Sequence, residues 1–160
     1  MDNLILLSLG SNVGDREANL REAITRLGKV GRVLAVSSFY ETEPVEFTDQ
    51  AWFLNCAVAL ETPQSAAGVM KAALAIERGM GRERNLEKGP RTIDIDLLLA
   101  GSAVIESAVA TVPHPAMHRR RFVLEPLAEI APGARHPILQ KTVLEMLSEL
   151  PPGQTVRRRN

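Results

Sequence analysis

The chain has 160 residues, and its 19 basic side chains balance 19 acidic ones, so no global field draws it to nucleic acid or anionic lipid. A length of 160 residues suits a single domain, 1–160, and 45% hydrophobic with 24% charged residues excludes a disordered or fibrous chain. The one cysteine, Cys56, excludes an internal disulfide framework and a cysteine-based zinc cluster.

In chain order, the amino terminus has no basic region, and its apolar stretch ends at Gly10, too soon for a signal peptide or membrane span. A cytoplasmic protein without a membrane partner is expected. Residues 4–9 read as a buried strand that enters the turn Gly10-Ser11-Asn12-Val13-Gly14-Asp15. This turn lacks the lysine of a Walker A loop and the spacing of a dinucleotide fingerprint, so its expected job is to shape the turn, with phosphate binding the weaker option. Residues 16–29 repeat apolar side chains at helical spacing, with Asp15 as the cap. Two strands follow, at 33–40 and 52–60, and the polar loop 42–51 between them is long enough to close over a ligand.

A second helix fits 65–78, after which 79–90 forms a glycine-rich basic loop with Arg82, Arg84 and Lys88. Residues 93–99 read as a strand, followed by a turn at 100–102, a short edge piece near 104–105, and the Pro-rich Val112-Pro113-His114-Pro115. Helical patterns at 120–130 and 142–150 precede a basic, frayed tail ending in Arg157-Arg158-Arg159. The order predicts a mixed α/β (α+β) fold: a ferredoxin-like βαββαβ core, an antiparallel sheet with helices packed on it, and a C-terminal extension.

The sharpest chemical signal is Arg91-Thr92-Ile93-Asp94-Ile95-Asp96. Period two puts Asp94 and Asp96 on one strand face with Cα atoms about 6.5–7 Å apart. Adjacent carboxylates repel unless a cation neutralises them, and hard oxygens suit Mg²⁺ sharing phosphate oxygens. The alternative is a solvated strand face. Basic residues Arg78, Arg82, Arg84, Lys88 and Arg91 precede the pair, and His114, His118, Arg119, Arg120 and Arg121 follow it, as a metal-polyphosphate site requires; the alternative for each segment is solvent-exposed helix and loop surface. Phe53 and Asn55 share a face of their strand and can offer stacking and an amide edge to a flat heterocycle, or stand on an ordinary exposed face. Cys56 points the other way, as core packing. The three histidines lack zinc spacing.

Taken together, Gly10-Ser11-Asn12, Phe39-Tyr40-Glu41-Thr42-Glu43-Pro44, Asp49-Gln50, Phe53-Leu54-Asn55, Ile76-Glu77, Gly81-Arg82, Arg84, Gly89-Pro90-Arg91-Thr92-Ile93-Asp94-Ile95-Asp96 and Val112-Pro113-His114-Pro115 resemble the 6-hydroxymethyl-7,8-dihydropterin pyrophosphokinase family. The resemblance covers nearly the whole chain. It implies a monomeric enzyme of folate biosynthesis that uses ATP, with Asp94 and Asp96 as ligands of two Mg²⁺ ions. It assigns Arg82, Arg84, Arg91, His114 and Arg120 to ATP, with Glu77 at an ATP-side helix position where the alternative is simple surface solvation, and counts Arg82 and Arg91 with the aspartates as catalytic. Thr42, Val45, Phe53, Asn55 and Phe122 match the pterin pocket. Glu87-Lys88 replaces the family's common Arg-Trp, where Lys88 keeps a point charge for ATP but not the guanidinium fork. Glu46 stands where glycine is frequent.

The implied reaction is attack by the pterin hydroxymethyl oxygen on the β-phosphorus of ATP, with AMP leaving. A regulatory small-molecule-binding module of the same fold gives no reason for paired acids between basic loops. An RNA-binding domain needs stacking aromatics that a 4% aromatic content supplies poorly, so no nucleic-acid partner is expected.

Overall fold

The computed structural model describes residues 3–44, 50–81 and 91–159. Strand β1 (Leu4–Ser11) is buried almost throughout and leads through the Gly14 turn into helix α1 (Arg16–Leu27). Asp15 caps that helix by accepting a hydrogen bond from the Ala18 N–H at 3.1 Å. Strands β2 (Arg32–Val36), β3 (Tyr40–Thr42) and β4 (Phe53–Glu61) follow, then α2 (Ala66–Gly79), capped by the Ser65 hydroxyl. After β5 (Asp94–Ala100), the short strands β6 (Ile105–Glu106) and β7 (Thr111–Val112) form a separate hairpin. A 3-10 turn at Met117–Arg119 leads to α3 (Arg121–Ile130), α4 (Val143–Ser148) and a final strand β8 (Val156–Arg158).

The main sheet has the order β5-β1-β4-β3-β8, with β2 also paired to β4, and every pairing is antiparallel. With β2 and β3 counted as one interrupted strand, this is the ferredoxin-like order expected from the sequence. One sheet face packs Ile5, Leu7, Leu9, Leu54, Cys56, Val58, Leu60, Ile95 and Leu97 against Leu20, Ala23 and Leu27 of α1 and Val69, Ala73 and Ile76 of α2. On the other face, Leu6, Ala57, Ala59, Leu98 and Leu99 pack against Val123, Leu124 and Leu127 of α3 and Val143 and Met146 of α4.

The structure departs from the sequence reading at three places. The strand expected at 33–40 is split, because the Ser37 hydroxyl accepts from the Ala57 N–H at 2.8 Å while the Ser38 N–H turns away to Glu129 at 2.9 Å. The edge piece expected near 104–105 belongs to the β6–β7 hairpin rather than the main sheet. The basic tail is not frayed: β8 pairs with β3, Arg157 lies over the Trp52 ring at 5.5 Å, and Arg158 donates to the Ser38 hydroxyl at 2.9 Å. Side-chain contacts across more than 100 residues ordered these arginines, and no local pattern could have announced them.

Candidate active site

The polar residues of the site collect at one end of the sheet face that carries α3. Register places Gly10 of β1 opposite both Asn55 of β4 and Asp94 of β5, with Ser8 opposite Asp96 and Thr42 opposite Phe53. Asp94, Asp96 and Phe53 are half-buried, whereas Asn55 and Thr42 are buried. Asn55 donates from Nδ2 to the Leu9 carbonyl at 3.1 Å and accepts the Thr42 hydroxyl at Oδ1. An amide carries two donor hydrogens and two acceptor lone pairs, so one of each remains for a ligand while the side chain is held still.

Gly10 is required by this arrangement. A Cβ there would sit 2.5 Å from Asn55 Nδ2 and 3.4 Å from the Phe53 ring, so any side chain would displace the amide from its two partners.

The segment after β7 is joined to β5: the His114 N–H donates to the Leu98 carbonyl at 2.9 Å. Its imidazole Nδ1 accepts from the Ala116 N–H at 3.1 Å, so the ring carries its proton on Nε2. Burial and the positive charge of Arg120 push the His114 pKa down to about 4. It is therefore a neutral hydrogen-bond donor near neutral pH. Arg120 lies over the Phe122 ring at 5.5 Å, and the Phe122 N–H donates to Gln154 Oε1 at 3.2 Å. Gln154 in turn donates to the Glu43 carbonyl at 2.6 Å, next to Thr42. A run of contacts thus links Asn55 through Thr42, Glu43, Gln154, Phe122 and Arg120 to His114 and β5. Gln154 was missed in the sequence reading; only the pairing of β8 with β3 brings it there.

Asn12 ties together residues 50–51 before β4 and Arg91 before β5. It donates to Gln50 Oε1 at 2.9 Å and to the Ala51 carbonyl at 3.0 Å, and its Oδ1 accepts the Arg91 N–H at 2.7 Å. Arg91 is buried directly before the aspartate strand. Of the other expected residues, Val45, Arg82, Arg84 and Lys88 lie outside the described residues. Glu77 is neither on the surface nor among the polar residues of this face. It is 1% exposed on α2, and its Oε2 accepts the Ile95 N–H at 2.8 Å. Burial raises the Cys56 thiol to about 12, as an inert core residue requires.

Among the described residues, no cluster of three or more His, Cys, Asp and Glu side chains could hold a metal ion by protein ligands alone. Asp94 and Asp96 supply only two hard carboxylates, a donor set that fits Mg²⁺ when phosphate oxygens complete its shell.

An amide held by two hydrogen bonds, a half-buried aromatic ring and paired carboxylates share one end of this sheet face, an arrangement compatible with a transferase. Residues 6–132 match the family model for 7,8-dihydro-6-hydroxymethylpterin-pyrophosphokinase, and the chain belongs to that family. Membership makes it an ATP-dependent pyrophosphokinase acting on hydroxymethyldihydropterin.

Among its relatives, the 2-amino-4-hydroxy-6-hydroxymethyldihydropteridine pyrophosphokinase of Bacillus subtilis is 46% identical over 132 residues, covering 81% of this chain and 79% of that protein. The enzyme of the same name from Methylorubrum extorquens is 44% identical over 148 residues, covering 91% and 92%. The folic acid synthesis protein fol1 of Schizosaccharomyces pombe is 41% identical over 94% of this chain, which spans only 21% of that longer protein. The crystal structure of wild-type Plasmodium falciparum HPPK-DHPS with pteroate superposes with a TM-score of 0.71 at 14% identity, covering 92% of this chain and 44% of that one. At that identity the likeness concerns the fold alone.

Proposed function

We propose that this chain, acting as a monomeric single domain in the cytoplasm, transfers the β,γ-diphosphate of ATP to the hydroxymethyl group of 6-hydroxymethyl-7,8-dihydropterin and releases AMP. The observation that carries this reading is the register: Gly10 stands between Asn55 on one side and Asp94 on the other, so a ring held at Asn55 has its substituent beside the carboxylates.

In this reading the pterin ring lies between Phe53 and Phe122. Asn55 offers its remaining donor and acceptor to the polar edge, and Thr42 with Val45 borders the ring. Two Mg²⁺ ions held by Asp94 and Asp96 together with the triphosphate would neutralise its charge and polarise the phosphoryl oxygens. Neutral His114 donates from Nε2 to a phosphate oxygen without first taking up a proton, while Arg120 supplies fixed positive charge. Arg82, Arg84, Lys88 and Arg91 bind the remaining phosphate oxygens, with Arg82 and Arg91 stabilising the transferring group. The acceptor oxygen attacks the β-phosphorus in line with the bond to the α-phosphate oxygen, that bond breaks to leave AMP, and the hydroxyl proton passes to Asp96 or to water. No covalent enzyme intermediate is needed.

Product analysis with ATP, Mg²⁺ and the hydroxymethylpterin tests this directly. AMP and a pterin diphosphate in equal amounts are expected; ADP with a pterin monophosphate would overturn the reading.

A further inference from the structure

We infer that Glu77 is a positioning residue for the aspartate strand, its carboxyl group standing in for a missing neighbour strand at Ile95 and so fixing the relative aim of Asp94 and Asp96. The inference rests on the proposed reading of those aspartates as metal ligands.

Among the described residues, strand β5 is at the edge of the main sheet and pairs only with β1, so backbone groups on its outer side need partners from elsewhere. Ile95 is the residue between the two aspartates, and its N–H donates to Glu77 Oε2 at 2.8 Å. That hydrogen belongs to the rigid peptide plane joining Asp94 to Ile95. Holding it constrains the backbone rotations on either side, which decide how the Asp94 side chain stands relative to Asp96. The His114 N–H holds the Leu98 carbonyl at 2.9 Å, so β5 is anchored both before and after Asp96.

The location of Glu77 argues against a role as a side chain of the pterin and metal face. Its α2 neighbours Ala73 and Ile76 and the Ile95 side chain belong to the apolar cluster between the sheet and α1/α2, on the opposite side from Asn55. At 1% exposure, a carboxyl group in that layer is tolerated because it is hydrogen-bonded, and the Ile95 N–H is one such bond. An apolar residue would suit the helix packing better but would leave the Ile95 N–H buried without this acceptor.

The test compares wild type with Glu77→Gln, which keeps an acceptor oxygen at the same reach, and with Glu77→Met and Glu77→Ala, which remove it. Two quantities are read: amide exchange at Ile95 in protein free of metal and nucleotide, and the Mg²⁺ dependence of binding a non-hydrolysable ATP analogue. In the Met and Ala variants Ile95 should exchange about tenfold faster or more, and the Mg²⁺ midpoint should rise about tenfold. Glu77→Gln should match wild type in Ile95 exchange and in Mg²⁺ midpoint. Unchanged Ile95 exchange in Glu77→Met overturns the inference. So does an equal loss of analogue binding in all variants with Ile95 still protected, which would make Glu77 a nucleotide contact. If the Met and Ala variants do not fold, Glu77→Gln decides: slow Ile95 exchange with a normal midpoint supports the pin, and fast exchange removes it. Asp96→Asn in the same titration tests the underlying reading separately. A wild-type Mg²⁺ response there would end the metal assignment whatever Ile95 does.

Discussion

The two faces of the main sheet are built from alternate residues of the same strands, yet they divide their work differently. Toward α1 and α2, β1, β4 and β5 present Ile5, Leu7, Leu9, Leu54, Cys56, Val58, Leu60, Ile95 and Leu97, an apolar surface that ends at Ser11, whose hydroxyl accepts from Asn19 of α1. Toward α3 and α4 the surface is apolar only through Leu6, Ala57, Ala59, Leu98 and Leu99, and turns polar at Gly10, Asn55, Asp94 and Asp96. Buried Ser8 marks the border between these two ends. A face covered over its full length can be uniformly apolar, since burial of each side chain adds stability. The face that is only partly roofed by helices leaves room for polar groups, and hydrogen bonds to backbone and neighbouring side chains hold them in place.

If that division is right, changes on the two faces should have separable effects, and the largest is expected at the carboxylates. Asp94→Asn and Asp96→Asn each keep the side-chain shape, so the fold should survive. Loss of about 3–5 kcal/mol of transition-state stabilisation would lower turnover by roughly two to nearly four orders of magnitude. AMP formation at saturating pterin across a Mg²⁺ titration measures this, and near-normal turnover in both variants would remove them from the chemistry.

Leu7→Ala on the opposite face should give the reverse pattern. Leu7 is fully buried, and its truncation should cost about 2–5 kcal/mol of stability in denaturant unfolding while the folded protein keeps its pterin affinity. A pterin affinity that falls in step with stability would show that the two faces are not independent.

Within the polar end, Asn55→Ala should weaken pterin binding by about 1–3 kcal/mol and leave ATP-analogue binding little changed. Gly10→Ala should move pterin affinity in the same direction, because the added Cβ is 2.5 Å from Asn55 Nδ2 and pushes the amide off its partners. Calorimetric titration of both substrates separates these effects. A Gly10→Ala protein with wild-type pterin affinity would mean that the amide accommodates the methyl group. A smaller loss, about 0.5–1.5 kcal/mol of pterin affinity, is expected for Gln154→Ala, which unties Phe122 from Glu43.

The last effect is a slope with pH. The His114 pKa is lowered from 6.5 to about 4 by burial first and by Arg120 second. Between those values the unfolded chain binds more protons than the folded one, so His114 contributes stability that is complete above pH 6.5 and is lost as pH falls toward 4. Unfolding free energies measured across this window should rise less steeply with pH in His114→Asn than in wild type. Equal slopes would contradict the buried, neutral state of the imidazole.

The amino-acid sequence by itself determined the elements and their faces. Local alternation set β1, β4 and β5 and placed Asp94 with Asp96, and Phe53 with Asn55, because side-chain direction in a strand depends only on parity. Caps at Asp15, Ser65 and Thr142 are equally local, each side chain reaching a backbone N–H within one helical turn. The pterin pyrophosphokinase motifs carried the reaction class.

Only the tertiary structure decided which faces meet and what holds them. The split between β2 and β3 depends on Ser38 finding Glu129, 91 residues away. The ordering of the arginine tail depends on Trp52, Glu129 and Ser38, which come from elements far apart in the chain. The clamp by Arg16 on Glu41, bidentate at 2.7 Å, joins α1 to β3, and its hydrogen bonds first, with its charge, hold the Glu41 carboxyl below its ordinary range. The hydrogen bonds made by Gln154 and Glu77 were illegible for the same reason. Each joins a side chain to a backbone group of a distant element, Phe122 in one case and Ile95 in the other, and a hydrogen bond to backbone leaves no mark on the partner's residue type.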